Sequence, residues 1–160
     1  MIMRQRLALF LSAILAVSLV GCSATPKEKE LTPFTVDDAQ VLLDSGVFNG
    51  DMAEIDLDTV AMLYDIDRDS IQSGVSYLAT NSSVSADELT ILILTDEAAA
   101  QAAETACEKR LDNQLKTYQD YAPVAVPRLE GGVIRRVDNT VLLAVGDPSQ
   151  LPGVVDQLGN

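Results

Sequence analysis

Two stretches in the middle of the chain have the hydrophobic patterns of β-strands. Residues Ile71–Thr80 alternate weakly between apolar and polar positions, which is typical of a strand with one buried face. Residues Leu89–Thr95 are apolar at nearly every position, and this pattern favours a central strand that is covered on both sides. The polar residues 81–83 predict the connection between them.

A long amphipathic helix is predicted over Asp96–Gln119. At about 100° per residue, one arc of this segment is charged and polar, whereas the opposite arc is mostly small and apolar with a few polar side chains. The second arc consists of Ala103, Cys107, Arg110, Leu111, Gln114, Leu115 and Tyr118. We expect this arc to lie on a sheet, with Cys107 as a buried, unreactive thiol.

A β-hairpin is predicted after the long helix. Val133–Val137 and Thr140–Val145 both have the composition of strands, and only Asp138 and Asn139 separate them. Because Asp and Asn tolerate positive φ, these two residues fit a two-residue hairpin turn.

Short helices are predicted near both ends of the domain. Val36–Leu43 is the first, and a second begins after Asp56 or Asp58 and ends at Tyr64. A weaker pattern over Pro148–Leu158 predicts the last.

The element order is therefore α, α, β, β, α, β, β, α, and no element is predicted for the Pro-bounded stretch Ala122–Leu129. This order indicates an α+β fold. We expect a small antiparallel sheet of about four strands, with the long amphipathic helix across one face and short flanking helices.

The first 21 residues have the pattern of a secretory signal peptide. Arg4 and Arg6 precede the uninterrupted apolar-to-small run Leu7–Val20, and no acidic residue is present. Fourteen residues in a helix span about 21 Å, which is short of a hydrocarbon core of about 30 Å. The pattern therefore favours a signal peptide over a transmembrane helix.

The end of this run, Leu19–Cys22, resembles the lipobox of bacterial lipoproteins. The resemblance implies cleavage between Gly21 and Cys22 and acylation of Cys22, which would attach the protein to the extracytoplasmic face of the cell membrane. An ordinary signal peptide with an incidental Cys is the alternative. Residues 22–33 are then the acylated Cys and a polar tether, and residues 34–158 form a single domain.

Composition and charge exclude several functions. The chain contains no His, so His-dependent nucleophiles, general bases and metal ligands are excluded. Removing residues 1–21 removes Arg4 and Arg6 and no acid, which changes the formal net charge from −13 to −15. Such a chain repels phosphate, so nucleic acid is not expected as a partner. The acidity favours simple solubility, and a cation-binding or partner-steering acidic face is the alternative.

Residues 71–147 resemble the bacterial lipoprotein family known as domain of unknown function 4358. The matching pieces are Ser85-Ala86-Asp87-Glu88, Arg110-Leu111, Tyr121-Ala122-Pro123, Val133-Ile134-Arg135, Asn139 and the strand Val141–Val145. The sequence departs from the family pattern at Asp138-Asn139-Thr140 and at Val124. The resemblance supports the location and the fold, and it implies no reaction or ligand.

Few residues point to catalysis or metal binding. Asp65–Ser70 has the alternating oxygens of a calcium loop, but Ser70 and Ser76 stand where an EF-hand needs Gly and a bidentate Glu. No metal and no cofactor are therefore expected. Paired carboxylates acting without His leave a carboxylate-based hydrolase of the cell envelope as the alternative function. A non-catalytic binding or structural module, with an envelope protein or a small ligand as its partner, is the main prediction.

Three arginines are the candidate binding residues. A two-residue turn sets Arg136 opposite Val141 and Arg135 opposite Leu142, so the two arginines point to opposite faces of the hairpin. They therefore cannot form one flat anion site. Either they discourage edge-to-edge pairing of the sheet, or one of them, together with Arg128, binds a carboxylate of a partner or ligand.

Overall fold

The computed structural model describes residues 32–158, so the predicted signal peptide, Cys22 and nearly all of the tether lie outside the described residues. The regular elements are α1 (Asp38–Asp44), β1 (Met52–Ile55), α2 (Leu57–Tyr64), β2 (Ile71–Ala79), β3 (Glu88–Leu94), α3 (Glu97–Tyr121), α4 (Val126–Glu130), β4 (Val133–Val137), β5 (Thr140–Val145) and α5 (Leu151–Val155). Single 3-10 turns precede β2 at Arg68–Ser70 and α4 at Pro123–Ala125. No helix within residues 32–158 has the length and apolar character needed to cross a membrane.

The five strands form one antiparallel sheet in the order β1-β2-β3-β5-β4. This confirms the predicted α+β fold, and it places the apolar strand β3 at the centre as expected. The sheet has five strands rather than about four because Met52–Ile55, for which no strand was predicted, pairs with the second half of β2. A further correction is the short helix α4 within the Pro-bounded stretch.

Apolar side chains cover the sheet on both faces. Leu92 and Leu94 of β3 pack with Ala103 and Cys107 of α3 on one face. Leu89 and Ile91 point to the other face, where they join a cluster from α1 and α5 that includes Leu42 and Leu151. The long helix therefore covers one face, as predicted, and two of the short helices cover the second.

Local signals account for the start of α3. Asp96 caps the helix, since its carboxylate accepts a hydrogen bond from Ala99 N at 2.8 Å. Ala100, Ala103 and Cys107 then turn inward and are fully buried. The predicted burial of Cys107 is thus confirmed, and this burial raises the pKa of its thiol to about 12, with nearby Glu88 adding to the rise.

The hairpin of β4 and β5 has the predicted turn. Asp138 adopts φ of 50°, and Arg136 and Arg135 lie opposite Val141 and Leu142. Asn139 Nδ2 donates to Leu94 O at 2.8 Å, which fixes the turn against the end of β3.

The chain enters the domain at this same end of the sheet. Phe34 N donates to Thr140 Oγ1 at 3.0 Å, at the start of β5. Thr140 pairs with Ile93 near the end of β3, whereas Glu88 begins that strand. The start of β3 therefore lies about 17 Å from the entry point, at about 3.3 Å per residue.

Candidate functional site

Two adjacent acidic residues are buried at the start of β3. Asp87 is 2% exposed and Glu88 is fully buried. Neighbouring side chains on an extended chain point to opposite faces, so the two carboxylates contact different elements. Each one is paired with an arginine.

Glu88 lies under α3 and binds three side chains. Arg110 donates from Nε to Oε1 at 2.6 Å and from Nη2 to Oε2 at 2.8 Å. Gln114, one helical turn later, donates from Nε2 to Oε2 at 2.8 Å. The Tyr64 hydroxyl of α2 donates to Oε1. The carboxylate therefore joins β3 to both helices on this face of the sheet.

Tyr64 extends this network into the sheet. Its hydroxyl lies 2.7 Å from Thr90 Oγ1, which in turn lies 2.7 Å from Ser76 Oγ on the neighbouring strand. The Arg110 guanidinium stands 4.9 Å from the centre of the Tyr64 ring, within range of a cation–π contact. Burial, together with the charge of Glu88, raises the pKa of Tyr64 well above its usual value, which keeps the phenol protonated as a donor.

Asp87 and Arg128 form the second buried pair. Arg128 donates from Nε to Oδ1 at 2.6 Å and from Nη2 to Oδ2 at 2.7 Å. Its Nη2 also donates to Val47 O at 2.7 Å, and Asn49 N donates to Oδ2 of Asp87. This pair ties α4 and the loop after α1 to the start of β3.

A groove lies between α2 and the C-terminal half of α3, beside the Glu88 network. Its central cavity has a volume of about 260 Å³ and is lined by Leu63, Arg110, Asn113, Gln114, Thr117 and Tyr118. A cavity of about 210 Å³ continues it toward the loop before β3, and shares Arg110, Gln114 and Tyr118. Another of about 160 Å³ continues it toward Asp65 and Lys109. We call these three adjacent cavities, which share lining residues, the α2–α3 groove.

One polar atom beside the groove lacks a partner. Gln114 Oε1 is the one buried side-chain oxygen or nitrogen without a hydrogen bond in the described part of the chain. The orientation of the amide follows from chemistry, because an ionised Glu88 accepts hydrogen bonds and so faces Nε2. An unsatisfied buried acceptor of this kind costs about 1–3 kcal/mol.

Over residues 44–146 the chain matches the family described as "Domain of unknown function (DUF4358)". The match covers well over half of the chain. The chain belongs to the DUF4358 family. No curated protein and no solved structure matches the chain.

The DUF4358 match contains the α2–α3 groove and both buried ion pairs. The three candidate arginines of the sequence analysis also lie within it, but the structure does not bring them together. Arg128 is bound to Asp87, whereas Arg136 donates to Glu104 at 2.8 Å and Arg135 lies 3.9 Å from Asp156. A ligand-binding role for any of the three stays a prediction.

The acids of the Asp65–Ser70 segment in this DUF4358 domain are also engaged. Asp65 binds Lys109 Nζ at 3.1 Å, and Asp67 accepts from Asp69 N at 3.0 Å. Within residues 32–158, no group of three or more Cys, Asp or Glu side chains lies close enough together to hold a metal ion.

Sequence reasoning did not single out the residues of the Glu88 network. Asp87 and Glu88 were noted only as part of a family motif. A signal was nevertheless present, because Arg110 and Gln114 lie on the apolar arc of α3 beside Cys107. A charged side chain on the buried face of a helix needs a buried partner, and an acid at the start of a central strand can supply it.

Proposed function

We propose that this DUF4358 protein is a lipoprotein held by acylated Cys22 on the extracytoplasmic face of the cell membrane, and that its domain is a non-catalytic binding or structural module. The anchor rests on the sequence: Leu19–Cys22 directly follows a basic and then apolar leader. Two acyl chains on Cys22 give stable attachment, whereas one chain is marginal.

The position of the Glu88 network relative to the chain entry supports access by a partner. The chain enters beside Thr140, and the Glu88 network lies at the opposite end of β3. With a short tether before residue 34, the Glu88 network would then lie at the end of the domain away from the anchor.

The pairing of the carboxylates is the observation that favours binding over catalysis. The acids that line the α2–α3 groove are Asp65, Asp87 and Glu88, and each is paired with a cation. A glycosidase-type site needs one carboxyl group free to donate a proton and a second to attack or activate water. Arginine held at both oxygens of Asp87 and of Glu88 occupies the atoms that such chemistry would use.

The anchor is tested by metabolic labelling with a radioactive fatty acid in the native cell. Cys22→Ala should lose the label and leave the membrane fraction. Cys107→Ala is the matched control, because it removes the other cysteine and should keep both. Label retained in Cys22→Ala would overturn the lipoprotein assignment.

Digestion of the wild-type protein by protease added to intact spheroplasts tests the extracytoplasmic location, and full protection would contradict it.

The non-catalytic role is tested with purified envelope polysaccharide as the substrate. We expect no release of reducing ends by the full-length protein. Release that disappears in a folded Glu88→Gln variant would replace the binding module with the carboxylate-based hydrolase.

A further inference from the structure

The α2–α3 groove lies beside a hydrogen-bond donor and a covered acceptor that both lack a partner within residues 32–158. Two nitrogens of Arg110, Nε and Nη2, are bound to Glu88, and Nη1 has no partner within residues 32–158. Nη1 is not fully buried, because Gln114 Oε1 is the sole fully buried and unpaired polar side-chain atom in that same range. The two residues are one helical turn apart on α3, so one ligand could bond to both once Oε1 is uncovered.

The charges around this pair select a neutral ligand. Glu88 binds the Arg110 guanidinium at two points and neutralises it, and Lys109 is paired with Asp65 in the same groove. A ligand anion would therefore gain little from Arg110 and would approach the Glu88 carboxylate.

Apolar side chains flank the polar floor. Leu63 lines the groove and is 43% exposed, and Tyr118 lines its other side. The Tyr118 ring meets Tyr121 edge-on at 6.2 Å, and its hydroxyl donates to Ser82 O and Ser85 O, both at 3.3 Å. These contacts hold the Tyr118 ring in one orientation at the edge of the groove.

We propose that the α2–α3 groove binds an uncharged peptide segment that carries an apolar side chain. A peptide carbonyl accepts from Arg110 Nη1, a peptide N–H donates to Gln114 Oε1, and the apolar side chain contacts Leu63 and Tyr118. Oε1 is covered in this structure, so its bond forms as side chains at the groove shift on binding. This inference rests on the binding module proposed above and names its ligand class.

The test uses the full-length protein in detergent micelles and a capped neutral tripeptide, acetyl-Ala-(benzoylphenylalanine)-Ala-amide, as a photo-crosslinking probe. Mass spectrometry should locate the crosslinks at the groove, near Leu63 or Tyr118. Acetyl-Ala-Leu-Ala-amide should compete, and acetyl-Asp-Asp-Asp-amide and chitobiose should not. Competition by chitobiose instead would make the site a glycan site, and competition by the acidic peptide would make it an anion site; either result overturns the proposal.

A pair of matched variants tests the location. Thr117 lines the groove and Thr105 does not, yet both are exposed on α3 and both donate to the carbonyl four residues earlier. Thr117→Arg should lower labelling about tenfold, which corresponds to about 1.4 kcal/mol, and Thr105→Arg should leave it unchanged. Equal labelling in the two variants, or no crosslink in the groove, would overturn the inference. Fatty-acid label on Cys22 in the same preparations reports on the anchor separately.

Discussion

Arg110 and Glu88 form a two-point ion pair between the long helix α3 and the central strand β3. The Glu88 side chain has no exposed surface, and that of Arg110 is 14% exposed. Taking these charges out of water is costly, and the cost is offset only while both partners are present. We therefore expect the pair to fix the position of α3 on the sheet more than it adds net stability.

Removing the arginine alone should destabilise the domain strongly. Arg110→Met leaves Glu88 buried without its cation, and we expect a loss of about 3–5 kcal/mol in the free energy of unfolding. Urea denaturation followed by circular dichroism measures it. The double variant Arg110→Met with Glu88→Leu should recover part of that loss, because neither charge is then stranded.

An exposed ion pair provides the control for this experiment. Arg68 lies 2.7 Å from Asp58, and their side chains are 44% and 84% exposed. Arg68→Met should cost no more than about 1 kcal/mol. Losses of the same size in Arg68→Met and Arg110→Met would show that burial does not set the value of the Glu88 pair.

The strongly patterned elements were predictable because each carries its own local signal. β3, α3 and the turn at Asp138 follow from an apolar run, a helical period and a two-residue gap. The strand β1 lacks such a signal. Its four residues Met52–Ile55 include Glu54, and they form a strand because β2 offers them an open edge.

The candidate site was less predictable because, like β1, it lacks a local signal in the sequence. The partners of Glu88 come from positions 64, 110 and 114, and only the packing of α2 and α3 on one face of the sheet brings them together. A pattern within one sequence does not show that residues so far apart along the chain come into contact. The presence of Arg110 on an apolar arc was the one local indication of a buried pair.

Gly74 should be intolerant of any side chain. It lies opposite Leu92 in the sheet, and a Cβ at this position would come within 2.5 Å of Ile91 O, which is backbone and cannot move aside. Gly74→Ala should therefore lower the free energy of unfolding by about 1–3 kcal/mol in urea denaturation.

Gly153 is the matched control for Gly74. It lies within α5, and a Cβ added there meets nothing within 4 Å. Gly153→Ala should be neutral or should stabilise by up to about 1 kcal/mol, because Ala has the higher helix propensity. A stable Gly74→Ala variant would mean that β2 and β3 separate more easily than this packing allows.

Cys107 should make the stability fall at alkaline pH. Burial raises the pKa of its thiol from 9.0 to about 12, so the folded state resists ionisation more than the unfolded state does. The contribution of the protonated Cys107 thiol to the free energy of unfolding is fully present below about pH 9 and is lost as the pH rises toward 12. Between about pH 8 and pH 10 the loss of stability from this group is on the order of 1 kcal/mol.

The comparison that isolates this group is Cys107→Ala, in which the same alkaline interval should show a smaller decline. Parallel urea denaturations at the two pH values measure both slopes. Identical slopes for the wild type and Cys107→Ala would contradict the burial argument.

The edge strand β4 should depend on its two arginines for protection against self-association. β4 is the last strand of the sheet, and Arg135 and Arg136 are both exposed on it. Replacing both with Thr keeps the β-propensity, removes two charges from the open edge and breaks the pair with Glu104. Sedimentation velocity of the double variant should show dimers or larger species that grow with concentration. The control Lys109→Thr removes an exposed charge from α3, and it should sediment like the wild type.

Labelling of the α2–α3 groove should persist in the double variant, because neither arginine lines it. A double variant that stays monomeric and loses that labelling would instead make the hairpin part of the binding surface.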